Sequence, residues 1–119
     1  MAIKLKRVYD EPKKADGYRI LVDRLWPRGL SKDAARVDKW LKDVAPSDQL
    51  RKWFHEDRSR WAEFRKRYLS QLKDNRETLK PLAKRARQDR ITLVYGSKDT
   101  EHNHAVVVKQ YLEMLGSDG

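Results

Sequence analysis

The 119-residue chain contains no cysteine. That absence excludes disulfides, cysteine-ligated zinc and every thiol nucleophile. No apolar run reaches the roughly 18 residues needed to span a bilayer, so no membrane helix is expected. Met1 to Arg7 lacks the apolar centre of a secretory signal, and a cytoplasmic protein is expected. Glycine is scarce, at five residues. Gly29 and Gly96 stand alone, so there is no glycine-rich loop to cradle a phosphate. Ser31 and Ser97 lack the glycine-flanked pattern of a nucleophile elbow, which argues against a serine hydrolase. Internal repeats, low-complexity linkers and a helix-turn-helix signature are also missing.

What the chain has in abundance is charge. It carries 28 Lys or Arg against 18 Asp or Glu, a net +10. Residues 51–90 hold 14 of the basic residues and six acidic ones, so this segment carries +8 of the total. A local basic field attracts phosphate, nucleic acid and acidic partners, although a solvated helical face has the same composition. Four Trp, five Tyr and two Phe supply large buried area and argue against disorder. The length suits one domain.

In chain order, Ile3 to Tyr9 alternates as a strand of mixed burial. Residues 10–17 form a turn-rich loop, with Pro12 as breaker and Asp16-Gly17 as turn signal. Tyr18 to Leu25 reads as a second strand, and its unbroken Ile20-Leu21-Val22 centre suggests a parallel sheet buried on both faces. Trp26-Pro27-Arg28-Gly29 cannot continue it. Ser31 is an N-cap for a short helix through about Arg36. Val37 to Val44 is a short strand or extended segment ending at Ala45-Pro46.

Ser47 caps a helix with Leu50, Trp53 and Phe54 on one face, which breaks near residues 56–59. Trp61, Phe64, Tyr68, Leu69 and Leu72 recur at helical spacing, and Leu79, Leu82, Ala83 and Ala86 mark a third helix. Pro81 places the start of that helix near Thr78 or kinks it. Ile91 to Tyr95 is a central strand. Asp99 or Thr100 caps a last helix with Ala105, Val108, Leu112 and Leu115 inward, and Gly116 ends it before a loose tail at 117–119. The fold class is α/β: one small domain with a three- to four-stranded, mostly parallel sheet covered by helices.

In such sheets ligands sit beyond the carboxyl ends of the strands. Two strand ends carry chemistry: Asp23 to Gly29, and Tyr95 to Asp99 running on to Glu101-His102-Asn103-His104. If the strands are parallel, the two segments meet at one edge. Arg24, Arg28, Lys32 and Lys98 would then offer cations there, with Ser97 and helix amides as donors, which suits a phosphate or carboxylate. Trp26 would stack on a base or wall the pocket. Asn103 and His104 would add polar contacts, and Asp23 would orient the arginines or act as base, with Arg24 its structural partner. Asp23 and His104 are the candidate catalytic groups. His102 and His104 are two residues apart, which on a helix points them away from each other, and His55 is distant in sequence. No metal and no cofactor are expected.

Val8-Tyr9-Asp10, Asp16 to Arg19, the run Leu21 to Gly29, Trp40-Leu41-Lys42, Ala45-Pro46-Ser47, Leu50 to Phe54, Phe64 to Tyr68 and Asn103-His104-Ala105 together resemble one family over nearly the full chain. It is the YeaO-like branch of the domain of unknown function numbered 488. The resemblance implies a bacterial-type cytoplasmic α/β protein and brings no established reaction. The wider family carries a Cys-His-Arg run after the last strand, and Asn103, His104 and Ala105 stand at those positions here. Of the three, only His104 keeps its type. The reading is therefore a protein with a pocket for an anionic or nucleotide-like small molecule, with or without enzymatic activity. The alternative is a non-specific nucleic-acid-binding module using the basic helices of 51–90. A third reading is a structural or partner-binding protein with neither site.

Overall fold

A computed structural model describes residues 2–117. Strands β1 (Ile3–Arg7), β2 (Tyr18–Leu21), β3 (Lys39–Trp40) and β4 (Ile91–Tyr95) form one sheet in the order β1-β4-β2-β3. All three pairings are parallel. β1 and β2 are shorter than their sequence patterns. Each keeps one further ladder bond, from Val8 N to Tyr95 O and from Val22 N to Val94 O, before the chain leaves the sheet.

The register sets the two faces. Leu5, Leu93 and Ile20 share one row. With Ile3, Val22, Ile91 and Tyr95 they face the main core. Four helices cover that face: α2 (Asp48–Glu56), α3 (Trp61–Asp74), α4 (Arg76–Gln88) and α5 (His104–Ser117). Phe64, Tyr68 and Leu72 of α3 are buried, whereas Trp61 and Leu69 are only partly so. Burial of this kind contributes roughly 1.5–3 kcal/mol per large apolar side chain.

The other face is thinly covered. Val8, Leu21 and Val94 pack against Ala35 of the one-turn helix α1 (Lys32–Ala35), with Trp26, Leu30 and Val37 at the margin. Lys4, Lys6, Arg19 and Thr92 also lie in rows of this face. This explains the mixed pattern of β1. Asp16 is fully buried here. It pairs with Arg19 Nη1 at 2.7 Å and Lys6 Nζ at 3.1 Å, and accepts from Lys13 N at 3.0 Å. Burial alone would raise its pKa, but these bonds more than offset that and hold it below the usual carboxylate range.

Local signals account for most element ends. Ser31 and Ser47 accept from Ala34 N and Leu50 N, as N-caps. Residues 37–44 contain the two-residue β3 and a 3-10 turn at Lys42–Val44. α4 begins at Arg76, ahead of Thr78, and carries Pro81 inside it on the exposed outer side, with Leu79, Leu82, Ala83 and Ala86 buried on the inner one. α5 begins at His104, later than read, and its cap is Asn103 rather than Asp99 or Thr100. Asn103 Oδ1 accepts from Val106 N at 3.1 Å. Gly116 lies inside α5, which runs on through Ser117, the first residue of the expected tail at 117–119; residues 118–119 of that tail fall outside the described residues. Among the described residues no helix is long and apolar enough to cross a membrane.

Candidate functional site

β2 and β4 are neighbours and parallel, so their carboxyl ends deliver residues 23–25 and 96–104 to the same edge. Asp23 leaves β2 where the ladder stops. Its Oδ2 accepts from Gly96 N at 2.8 Å, which ties the two strand exits together. Its Oδ1 lies 2.7 Å from His104 Nε2 in the first turn of α5. That contact lies outside hydrogen-bond geometry, and neither atom has a hydrogen-bond partner among the described residues.

Beside this pair is a cavity of about 680 Å³, within the range of small-molecule sites, about 300–1,000 Å³. Its apolar wall includes Phe54 and Phe64, whose rings stack at 4.4 Å, with Ala45, Pro46 and Leu25. Leu25 is 75% exposed. The cations on the lining are Arg24, Arg51, Arg58 and Lys98, and the carboxylates are Asp23, Asp48 and Asp99. Arg24 donates to the Ala45 and Pro46 carbonyls at 3.3 Å and lies 3.9 Å from Asp48. Arg51 lies 3.7 Å from the same Asp48. Arg58 stacks over Phe54 and donates to Asp99 at 3.0 Å and to the His102 carbonyl at 2.7 Å.

The loop that carries Lys98 is built on Asp99. Its Oδ1 accepts from the amides of His102 and Glu101. These bonds first, and Arg58 after them, hold its carboxyl below the usual range. His55, also on the lining, has its pKa lowered by partial burial first and then by Arg58, Arg51 and His104, so the neutral ring dominates near pH 7.

Of the residues singled out in sequence, Asp23, Arg24, Ser97, Asn103 and His104 lie on this lining together with Lys98. Trp26, Arg28 and Lys32 do not. Pro27 and Gly29, at φ +77°, turn the chain towards the thinly covered face of the sheet. Trp26 there donates to Leu30 O at 2.7 Å and packs edge-on against Trp40. The Arg28 side chain is exposed, and its carbonyl accepts from the Tyr9 hydroxyl. Lys32 is exposed at the start of α1. Arg24 is engaged with the 45–48 segment rather than with Asp23, whose partners are Gly96 and His104.

The sequence reading missed Arg51, His55 and Arg58. Arg51 and His55 share a side of α2 at i, i+4, a signal present in the sequence; Arg58 lies beyond the extended Asp57, where helical spacing carries no information. His55 is remote from His104 in sequence, yet both line this cavity. Among the described residues no group of three or more His, Asp or Glu is arranged to hold a metal ion.

Asn103 is buried and fully engaged: Nδ2 donates to Asp99 O at 2.7 Å while Oδ1 caps α5. Ser97 Oγ accepts from Asp99 N. Neither side chain is paired with a base in the manner of an activated nucleophile.

The chain matches, over residues 2–117, the family described as the inactive DUF488-N3 subclade. It is 46% identical to the uncharacterized protein YeaO of Escherichia coli, across 97% of this chain and all of that one. An uncharacterized protein of Mycobacterium tuberculosis is 41% identical, across 92% of each chain. No solved structure matches. The chain belongs to the DUF488 family, within the subclade described as inactive.

Proposed function

We propose that this chain binds an anionic small molecule in the cavity beyond the carboxyl ends of β2 and β4 and does not transform it covalently. The observation that carries the reading is the composition of that cavity. Four cations face it beside an apolar wall, and Lys98 has no ion-pair partner among the described residues. The engagement of Asn103 favours binding over covalent chemistry, and so does the description of the subclade. Asp23 and His104 then serve to join the two strand exits rather than to move a proton.

The nucleic-acid reading has less support. Arg60 and Arg67 both lie over the Trp53 ring and pair with Glu56 and Glu63, and Arg85 lies over Tyr18. Three of the fourteen basic residues of 51–90 are thus engaged within the fold.

A thermal-shift comparison of anions with neutral molecules of the same shape tests the proposal. Native-state binding raises the melting midpoint by mass action. Anionic aromatic compounds should raise it and their neutral counterparts should not. No response to any anion at millimolar concentration would overturn the reading.

A further inference from the structure

Arg51, His55 and Arg58 descend one side of α2 and the turn after it, and all three line the cavity. Arg51 and His55 are neighbours one turn apart on α2, and Arg58, beyond the extended Asp57, returns to the same lining, where both arginines act on the His55 ring. Arg51 is held only loosely, with Asp48 at 3.7 Å. Arg58 spends Nη2 on Asp99 and the His102 carbonyl. A guanidinium has five N–H donors, so others remain. Lys98 stands on the loop side of the same cavity.

We propose that the anionic group bound here is the phosphoryl group of a phosphate monoester, held by Arg51, His55 and Arg58, with its apolar or aromatic body against Phe54, Phe64 and Leu25. The inference rests on the anion-binding reading above and names its ligand class. A phosphate monoester presents three acceptor oxygens and about −1.5 to −2 charges at pH 7, which matches three donor groups on one lining. A carboxylate presents two oxygens and a single charge. The exposed Leu25 would gain burial from an apolar body laid beside it.

The arrangement also couples binding to protonation. On the cavity lining His55 is accompanied by Arg51 and Asp48 from its own helix, and by Arg58 from the following turn. Lys98, Asp99 and His102 face it from the loop, His104 from α5, and Asp23 and Arg24 from the end of β2. The two arginines nearest in sequence oppose a charge on the ring. A bound dianion offsets them, so the imidazole takes up a proton as the phosphate arrives.

Calorimetric titration tests this on the intact chain, with phenyl phosphate, inorganic phosphate and benzoate as probes. It is run near pH 7.5, where a phosphate monoester, with a second pKa of about 6, is already mostly dianionic. Two buffers of different ionisation heat report the protons exchanged. Phenyl phosphate should bind about ten-fold or more tighter than benzoate, and tighter than inorganic phosphate, with net proton uptake. Any residual proton on the phosphate would be released, the opposite sign.

Arg51→Ala should weaken phenyl phosphate about ten-fold or more, and His55→Gln should weaken it less but abolish the proton uptake. Both side chains are exposed, and unchanged far-ultraviolet dichroism certifies the fold of each variant. If wild type binds none of the probes, the anion-binding reading falls and this inference falls with it. If the probes bind but benzoate matches phenyl phosphate, both variants bind as wild type, or no proton is taken up, the phosphoryl site is wrong while the cavity reading stands.

Discussion

Asp23 Oδ1 and His104 Nε2 lie 2.7 Å apart and join the exit of β2 to the first turn of α5. The second oxygen of Asp23 holds the Gly96 amide, so one carboxylate fixes both strand exits and the base of the cavity. Asp23→Asn should therefore loosen the 96–104 loop as well as lower stability. A cost of about 1–3 kcal/mol is expected for weakening bonds to a charged, mostly buried group. Urea unfolding gives the cost, and amide hydrogen exchange gives the loop. Unchanged exchange at residues 96–104 would contradict this role.

Arg28 belongs to a different part of the molecule from the cavity. Arg28→Ala should change stability by no more than about 0.5 kcal/mol, because the side chain is exposed and only its carbonyl is bonded. It should also leave phenyl phosphate affinity untouched. A loss of binding comparable to that of Arg51→Ala would show that the 26–30 loop folds over the cavity.

The buried Asp16 makes a prediction in pH. Its carboxyl is held below the ordinary value of 3.8, so its stabilising contribution is complete above that value. It is lost as the pH falls through the lower folded value, because the unfolded chain binds the proton first. His55 adds an earlier loss of the same sign. Its folded value lies below 6.5, so stability also declines as the pH drops below that point. His55→Gln should remove the earlier component only. Asp16→Asn should cost about 3–5 kcal/mol at neutral pH, since Arg19 and Lys6 lose their buried counter-charge. Denaturant midpoints measured between pH 3 and 8 separate the two effects.

Gly17 sits at φ +66°, and a Cβ there would collide with the backbone carbonyl of Arg90. The obstacle is backbone and cannot swing away. Gly17→Ala should cost at least about 2 kcal/mol. A cost below about 1 kcal/mol by the same assay would mean that β2 and the α4–β4 turn are packed more loosely than this.

Much of the fold was legible because local and global signals agree. The Ile20-Leu21-Val22 and Ile91 to Tyr95 runs specified central strands, and Ser31 and Ser47 specified helix starts through a single side-chain oxygen. The cap of α5 was misread because three polar residues within five positions, Asp99, Thr100 and Asn103, each suit that role. Only the packing of Ala105 decides which turn is first. Half of the site was legible as well. Strand ends in a parallel sheet converge by topology, and that brought Asp23 and the 97–104 segment together. The direction of the 26–32 loop was not legible. It depends on Trp26 burying its ring near Ala35 and Trp40, a tertiary choice that the Trp-Pro-Arg-Gly pattern does not encode. The contribution of α2 was hidden for a different reason. Its basic residues share a helix with Trp53 and Phe54, and a basic residue on an amphipathic helix reads as solvent-facing until the neighbouring loop is in place.

The most direct test of ligand binding in this cavity is a nitrogen–proton correlation NMR titration of the chain with phenyl phosphate. Shifts should concentrate at Arg51, His55 and Arg58 and along Ser97 to His104, and should saturate together. Shifts spread over the outer surfaces of α3 and α4, growing linearly without saturation, would contradict the account and return the basic helices to first place.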